Sequence, residues 1–236
     1  MKPTAFWLAA AVAISTAAGA HCADLPEGFV FLRDVDPGVV QDMRYAGADN
    51  FTGEAVPGYE GGECVLARPV AEALARVQAA ARAQGRTLIV FDCYRPQRAV
   101  DRFVAWVKAG GAGRDPAWHP RIARNRLIAE GYIASRSGHS SGGSVDLGFG
   151  VATPGEEAGI AKVEPAAMGG SFDLFDIVSH TKARSLPRAE RANREWLVGV
   201  MKAQGFANYH REWWHFRYTR EPFAGRAFDF VIPKRP

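Results

Sequence analysis

The chain has 236 residues, 47% of them hydrophobic, with a net charge of +4 and an isoelectric point near 9.1. That length suits one good-sized globular domain. Lys and Arg are scattered along the chain and form no block or stripe, so the basicity reads as ordinary surface and excludes a nucleic-acid partner.

Residues 1–20 begin Met1-Lys2, run through an apolar stretch from Phe6 to Ile14, and end in the small residues Ala18-Gly19-Ala20. This is the pattern of a cleaved secretory leader, and the expected mature chain, 21–236, starts near His21. The apolar stretch is too short to span a bilayer, so no stable membrane insertion is expected after cleavage. A lipid anchor on Cys22 would want a small residue where His21 stands. The expected location is therefore outside the inner membrane, in the periplasm, and the oligomeric state is left open. Of the three cysteines, Cys64 and Cys93 could close a loop of about 30 residues worth about 3 kcal/mol in an oxidising compartment. No two cysteines share the short spacing of a thiolate metal site.

Residues 24–62, rich in Gly, Pro, Asp and aromatics, read as short strands and loops. A helix follows, with Pro69 in its first turn, Val70, Leu74, Val77 and Ala81 on one face and Gly85 as its stop. Thr87–Asp92 reads as a buried strand ending at Tyr94-Arg95-Pro96, and Gln97–Lys108 as a second helix with Ala99, Val100, Phe103, Val104 and Val107 on its apolar face. Arg121–Glu130 reads as a third, weaker helix. Ser144–Phe149 alternates strictly, placing Val145, Leu147 and Phe149 on one face and Ser144, Asp146 and Gly148 on the other. Residues 150–187 read as a long functional loop, 186–204 as a last helix stopped by Gly205, and Trp213–Tyr218 with Phe228–Ile232 as a final strand pair. The element order lacks a βαβ rhythm, so the expected class is α+β.

Among the six histidines, His139 and His215 stand apart. His139 lies in Ser137-Gly138-His139-Ser140-Ser141-Gly142-Gly143-Ser144-Val145-Asp146, where Gly142 and Gly143 let the chain turn between imidazole and carboxylate. His215 closes Glu212-Trp213-Trp214-His215 and shares a strand face with Arg217, opposite Trp214, Phe216 and Tyr218. If the two strands adjoin, His139, Asp146 and His215 supply three nitrogen and oxygen ligands. With water in the fourth position, that is the pattern of catalytic zinc. Glu212 is then the candidate base and Arg95 the cation for a developing oxyanion. Glu212 and His215 are three residues apart, so a bend must separate them for both to serve one site. His21, His119, His180 and His210 have no such company and read as surface or core residues.

The pattern Ser-x-His-x-x-Gly-x-Ser-x-Asp at 137–146, followed by Glu-x-Trp-His at 212–215, resembles the M15 zinc peptidases, in particular the VanX-type D-alanyl-D-alanine dipeptidases. Arg44-Tyr45-Ala46, Asp49-Asn50-Phe51-Thr52-Gly53, Gly58-Tyr59-Glu60, Tyr94-Arg95-Pro96 and Met168-Gly169-Gly170-Ser171-Phe172-Asp173 extend the likeness from about Phe29 to Ile232. The resemblance implies a hedgehog/DD-peptidase-type antiparallel sheet packed with helices in a single domain, and one zinc ion on His139, Asp146 and His215. It further implies that Glu212 is the base, that Arg95 steadies the oxyanion and that Asp173 receives the ammonium of the D-Ala-D-Ala dipeptide. By the same likeness Ser137, Tyr45 and Tyr59 surround the substrate and Phe103 closes the pocket wall. Cys93, where the family commonly has a small residue, and the long segment 150–167 are departures. The competing expectations are a carboxypeptidase or endopeptidase acting on peptidoglycan stem peptides and a non-catalytic zinc-containing binding module. A pure binder has no need of Glu212 and Arg95.

Overall fold

A computed structural model describes residues 25–153 and 162–235. The expected leader 1–20 and Cys22 lie outside the described residues, as do 154–161 of the long segment. The first elements are short: β1 (Phe29–Phe31), α1 (Leu32–Val35), β2 (Val40–Gln41) and β3 (Val65–Ala67). β1 and β3 form a two-stranded antiparallel sheet with Phe29 opposite Ala67.

Helix α2 (Arg68–Arg82) follows directly, with Pro69 in the first turn, where its missing N–H would have had no intrahelical partner. Val70, Leu74, Val77 and Ala81 are fully buried, as their helical spacing predicts, and Gly85 ends the segment at φ +68°. Burying each such Val or Leu contributes roughly 1.5–3 kcal/mol. Gln78 fastens the helix to the sheet, since its side-chain carbonyl accepts from Leu88 N at 2.8 Å and its amide donates to Gly38 O at 3.0 Å.

The main sheet contains β4 (Arg86–Asp92), β5 (Ser144–Thr153), β6 (Lys162–Pro165), β7 (Phe206–Asn208) and β8 (His215–Tyr218), in the order β2-β4-β5-β8-β7 with β6 also on β5. It is antiparallel apart from the β2/β4 pair. β5 is its long central strand: Ser144–Asp146 pair with β8 and Gly150–Thr153 with β6. Leu88, Val90, Val145, Leu147 and Phe149 are buried between the sheet and the helices α2 and α4 (Arg188–Ala203), where Phe149 packs on Trp196. Helix α3 (Gln97–Ala109) lies towards the other face, and its Phe103 reaches the cavity that Asp146 faces. The architecture is α+β around one continuous core.

Three expectations are corrected. Arg121–Glu130 holds only the short 3-10 turn Arg124–Arg126. The N–H groups of Arg124 and Asn125 turn back to Gly113 O and Gly111 O, Glu130 N closes an isolated i to i−4 bond to Arg126 O, and the Arg124 guanidinium packs over Trp106 at 3.6 Å. Phe228–Ile232 is an extended strap and no partner of Trp213–Tyr218, which instead supplies β8, paired with β5 and β7. Its alternating aromatics Phe228 and Phe230 meet Phe29 edge to face and Phe230 stacks on Tyr94, while its backbone bonds go singly to Ser140 O, the Tyr94 hydroxyl and Gly58 O. The stretch 150–187 is less irregular than expected, because it contains the end of β5, all of β6 and the 3-10 turn Ile177–Ser179.

Candidate active site

β5 and β8 run antiparallel with Asp146 directly opposite His215, so both side chains leave the sheet on the same face, away from Val145 and Phe216. Asp146 Oδ1 lies 2.9 Å from His215 Nδ1. His139 enters from the 3-10 turn Gly138–Ser141 that leads into β5. Ser137 caps this turn by accepting the His139 N–H at 3.2 Å. Gly142 reverses the chain at φ +70°, and a Cβ there would strike the Phe29 ring and the Ala67 backbone.

His139 Nδ1 is 2.7 Å from the Cys93 carbonyl oxygen. A carbonyl only accepts, so Nδ1 carries the proton and Nε2 keeps its lone pair. Nε2 stands 3.0 Å from His215 Nδ1 and 3.3 Å from Asp146 Oδ1. Three ligands bound to zinc at about 2.0–2.1 Å in tetrahedral geometry are separated by about 3.3 Å. The two imidazole nitrogens and one carboxylate oxygen therefore have both the spacing and the chemistry to hold zinc and leave a position open. Burial pushes the Asp146 carboxyl up, but the two imidazoles outweigh it and hold the group well below the ordinary carboxylate range.

The bend demanded by Glu212 and His215 is present. Glu212 lies in the hairpin between β7 and β8, where Glu212 N donates to Tyr209 O and His215 N to Glu212 O. This brings Glu212 Oε2 to 4.0 Å from His215 Nδ1. Burial first, and then the Asp146 carboxylate, push the Glu212 carboxyl up to about 8, against the pull of Arg95 and His139. A cation held by the three neighbouring ligands would draw it down again, as a group that first accepts and then returns a proton requires.

Arg95 is clamped from behind by Asp92, with Nη2 at 2.7 Å and Nε at 2.9 Å from Oδ2, and its Nη2 is 3.5 Å from Asp146 Oδ2. Its guanidinium lies over the rings of Tyr45 and Phe103, each at 5.2 Å. Asp92 was not among the residues singled out from the sequence. Val90 pairs with Leu147 but Asp92 with Asp146, so one extra residue at Phe91 makes a bulge that returns Asp92 to the face of the site. Regular alternation would have sent it to the core. Its position just before the Tyr94-Arg95-Pro96 motif was the one available signal.

His139, Asp146, His215, Glu212 and Arg95 line a cavity of about 260 Å³ together with Ser137, Tyr45, Phe103 and Asp173. Asp173 is buried and holds a left-handed φ of +59°, unusual for a residue other than glycine and kept there by its surroundings. Its Oδ2 accepts the Tyr45 hydroxyl at 2.7 Å. Burial, helped by Asp146, raises its carboxyl well above the ordinary range, although the Tyr45 bond pulls the other way. Tyr59 is the exception among the expected pocket residues. It does not line the cavity, and its hydroxyl instead donates to Asp92 Oδ1 at 2.6 Å, one layer behind Arg95. Phe51, Tyr132, Phe175 and Tyr209 complete the aromatic wall; Phe51 lies in the Asp49–Gly53 motif, but none of the four was singled out from the sequence as a site residue.

Three candidate ligands with a carboxyl and a guanidinium beside them fit a catalytic zinc site, which keeps a position open, better than a structural one, which is closed by four. Comparison with known proteins narrows the class. The chain belongs to the M15 peptidases, since the family model described as D-Ala-D-Ala dipeptidase matches residues 26–233. It is 44% identical over 205 residues to the D-alanyl-D-alanine dipeptidase of Streptomyces coelicolor, covering 86% of this chain and 98% of that one. It is 37% identical to the enzyme of the same name from Enterococcus faecalis, covering 88% of this chain and 100% of the relative. The corresponding enzyme of Enterococcus faecium is also 37% identical, with 87% and 98% covered. The chain is accordingly a metallopeptidase, and its cofactor is zinc.

Proposed function

We propose that this chain hydrolyses the dipeptide D-Ala-D-Ala to two molecules of D-alanine, as part of peptidoglycan precursor or fragment metabolism. The observation that carries the reading is the convergence of His139, Asp146 and His215, with Glu212 and Arg95 beside them, in a cavity of about 260 Å³. A space of that size, walled by aromatic rings, suits a small dipeptide better than a stem peptide with a sugar attached. The names of the three relatives support the same substrate.

His139, Asp146 and His215 would hold zinc, which supplies Lewis-acid polarisation of a carbonyl and acidification of water. Glu212 takes the proton released as water adds to the peptide carbon and returns it to the leaving nitrogen, so the proton count closes without another group. Arg95, held rigid by Asp92, faces the negative charge that develops on the former carbonyl oxygen. Asp173, steadied by Tyr45, meets the substrate ammonium, and Ser137 and Phe103 bound the space around the two methyl groups. A cavity that pairs both charged ends of a dipeptide discriminates against longer or capped peptides, because a buried charge left unpaired is costly.

The test is hydrolysis by the zinc-loaded chain of D-Ala-D-Ala, L-Ala-L-Ala and a muramyl pentapeptide. D-Ala-D-Ala is expected to be cleaved far faster than the others. Preferential cleavage of the pentapeptide would replace this reading with the carboxypeptidase one, and stoichiometric zinc with no cleavage of any of them would favour a binding module.

The same proposal extends to location: the chain is exported to the periplasm with removal of residues 1–20. The Met1-Lys2 start, the apolar stretch to Ile14 and the Ala18-Gly19-Ala20 site support it. So does the Cys64–Cys93 disulfide, which persists in an oxidising compartment. Amino-terminal sequencing of the protein recovered from a periplasmic extract should read from His21.

A further inference from the structure

Arg194, on α4, does not line the cavity and is only 1% exposed. Its hydrogen bonds among the described residues go to backbone carbonyls: Nε donates to Met168 O at 2.7 Å, and Nη1 to Val178 O at 2.9 Å and His180 O at 2.8 Å. Burial pushes the guanidinium down to about 10, with Glu190 pulling the other way, so the group is charged at neutral pH. A buried charge is costly, and an apolar side chain would fasten α4 to the sheet without that cost. Leu197 and Met201, on the same face of the helix, do so and are fully buried. The three carbonyls that Arg194 gathers are what its charge explains.

Met168 and His180 bound the segment that carries Asp173, and Val178 lies inside it. That segment holds one short 3-10 turn, Ile177–Ser179, and no strand, so no ladder fixes Asp173 in place. Its left-handed φ of +59° costs free energy and persists only where the surroundings hold it. Tyr45 holds the carboxylate itself, while Arg194 holds both ends of the backbone that presents it. We propose that Arg194 is the positioning residue for ammonium recognition: by tying residues 168–180 together at both ends, it keeps Asp173 in this conformation with its carboxylate on the cavity. The proposal rests on the reading of Asp173 as the group that meets the substrate ammonium.

The experiment compares Arg194→Met and Arg194→Lys with wild type, all zinc-loaded, on D-Ala-D-Ala. For Arg194→Met, kcat/KM should fall by about 10- to 100-fold, chiefly through KM, with zinc still at one per chain. Arg194→Lys should recover part of the loss, since it keeps the charge without the fork. In an Asp173→Asn background the same substitutions should change kcat/KM by less than about 3-fold, because both losses act through one contact. An unchanged KM, or an equal fall in both backgrounds, overturns the proposal; where Arg194→Met does not fold, Arg194→Lys decides by the same comparison. Amide hydrogen exchange reads the positioning without turnover. Residues 169–178 should exchange faster in the variants while α2 and the central sheet stay protected as in wild type. Unchanged protection of that segment, or faster exchange along the whole chain, overturns the proposal. If wild type cleaves no D-Ala-D-Ala yet the segment alone loosens, the dipeptidase reading fails while the positioning of Asp173 stands.

Discussion

Asp146 and His215 are direct partners across the β5/β8 ladder, and their side chains meet at 2.9 Å. Nearly seventy positions separate them in the chain, yet one strand pairing places both on the face that His139 approaches. Strand register therefore makes the metal site, because a slip of one residue would turn one of the two ligands into the core.

The first prediction follows from that register. His215→Ala and Asp146→Asn should each fold, lose stoichiometric zinc and reduce D-Ala-D-Ala hydrolysis by at least about 1000-fold. Metal analysis after dialysis, read beside circular dichroism, separates loss of zinc from loss of fold. Full zinc retention in both variants would remove these residues from the ligand set.

Glu212→Gln should behave differently. It keeps the shape of the hairpin but cannot accept a proton, so zinc content should stay at one per chain while kcat falls by about 100- to 10,000-fold. Steady-state kinetics with parallel metal analysis checks it, and wild-type kcat in this variant would assign proton transfer elsewhere.

Asp92 sets two parts of the site at once. It clamps Arg95 at 2.7 Å and lies 3.5 Å from His139 Nδ1. Asp92→Asn is expected to lower kcat and to weaken zinc binding by about 10- to 100-fold, the range typical of partners just outside the ligand shell. Competition with a zinc chelator measures the second effect.

The Cys64–Cys93 bond spans 29 positions and ties the start of β3 to the segment whose Cys93 carbonyl accepts the His139 proton. Loss of the bond in the double variant Cys64→Ala, Cys93→Ala should cost about 3–4 kcal/mol by loop entropy, a fall in Tm of roughly 10 °C for a domain of this size. The melting curve with and without reductant gives the same comparison on the unmodified chain.

Asp176 supplies the pH prediction. Burial tends to raise its carboxyl, but the Arg121 guanidinium and the Val178 N–H outweigh burial and hold it below the ordinary range. A folded value below the unfolded one means that the stabilisation is complete above about pH 3.9 and is lost as pH falls through the folded value. Asp176→Asn should therefore lower stability by about 1 kcal/mol at pH 7 and show a shallower further loss on acidification than wild type. Urea unfolding at pH 7 and at successive acid steps tests both parts.

What the sequence determined by itself was everything governed by local periodicity and by motif. The 3.6-residue spacing of Val70, Leu74, Val77 and Ala81 located α2, and strict alternation located β5 with Asp146 off the core face. The motifs around His139 and His215 pointed to the candidate ligands, and the three-residue gap from Glu212 to His215 required a bend if both were to serve one site. Only the tertiary structure decided what depends on which backbone lies alongside which. The bulge that turns Asp92 inward is a property of β4 against β5, the place of Tyr59 behind Arg95 follows from it, and the strap at 228–232 bonds to scattered partners that alternation alone cannot distinguish from a strand ladder. The physical reason is that a side chain's face is set by its own chain's repeat, whereas the meeting of two side chains is set by register between chain segments, and register is a property of the assembled sheet.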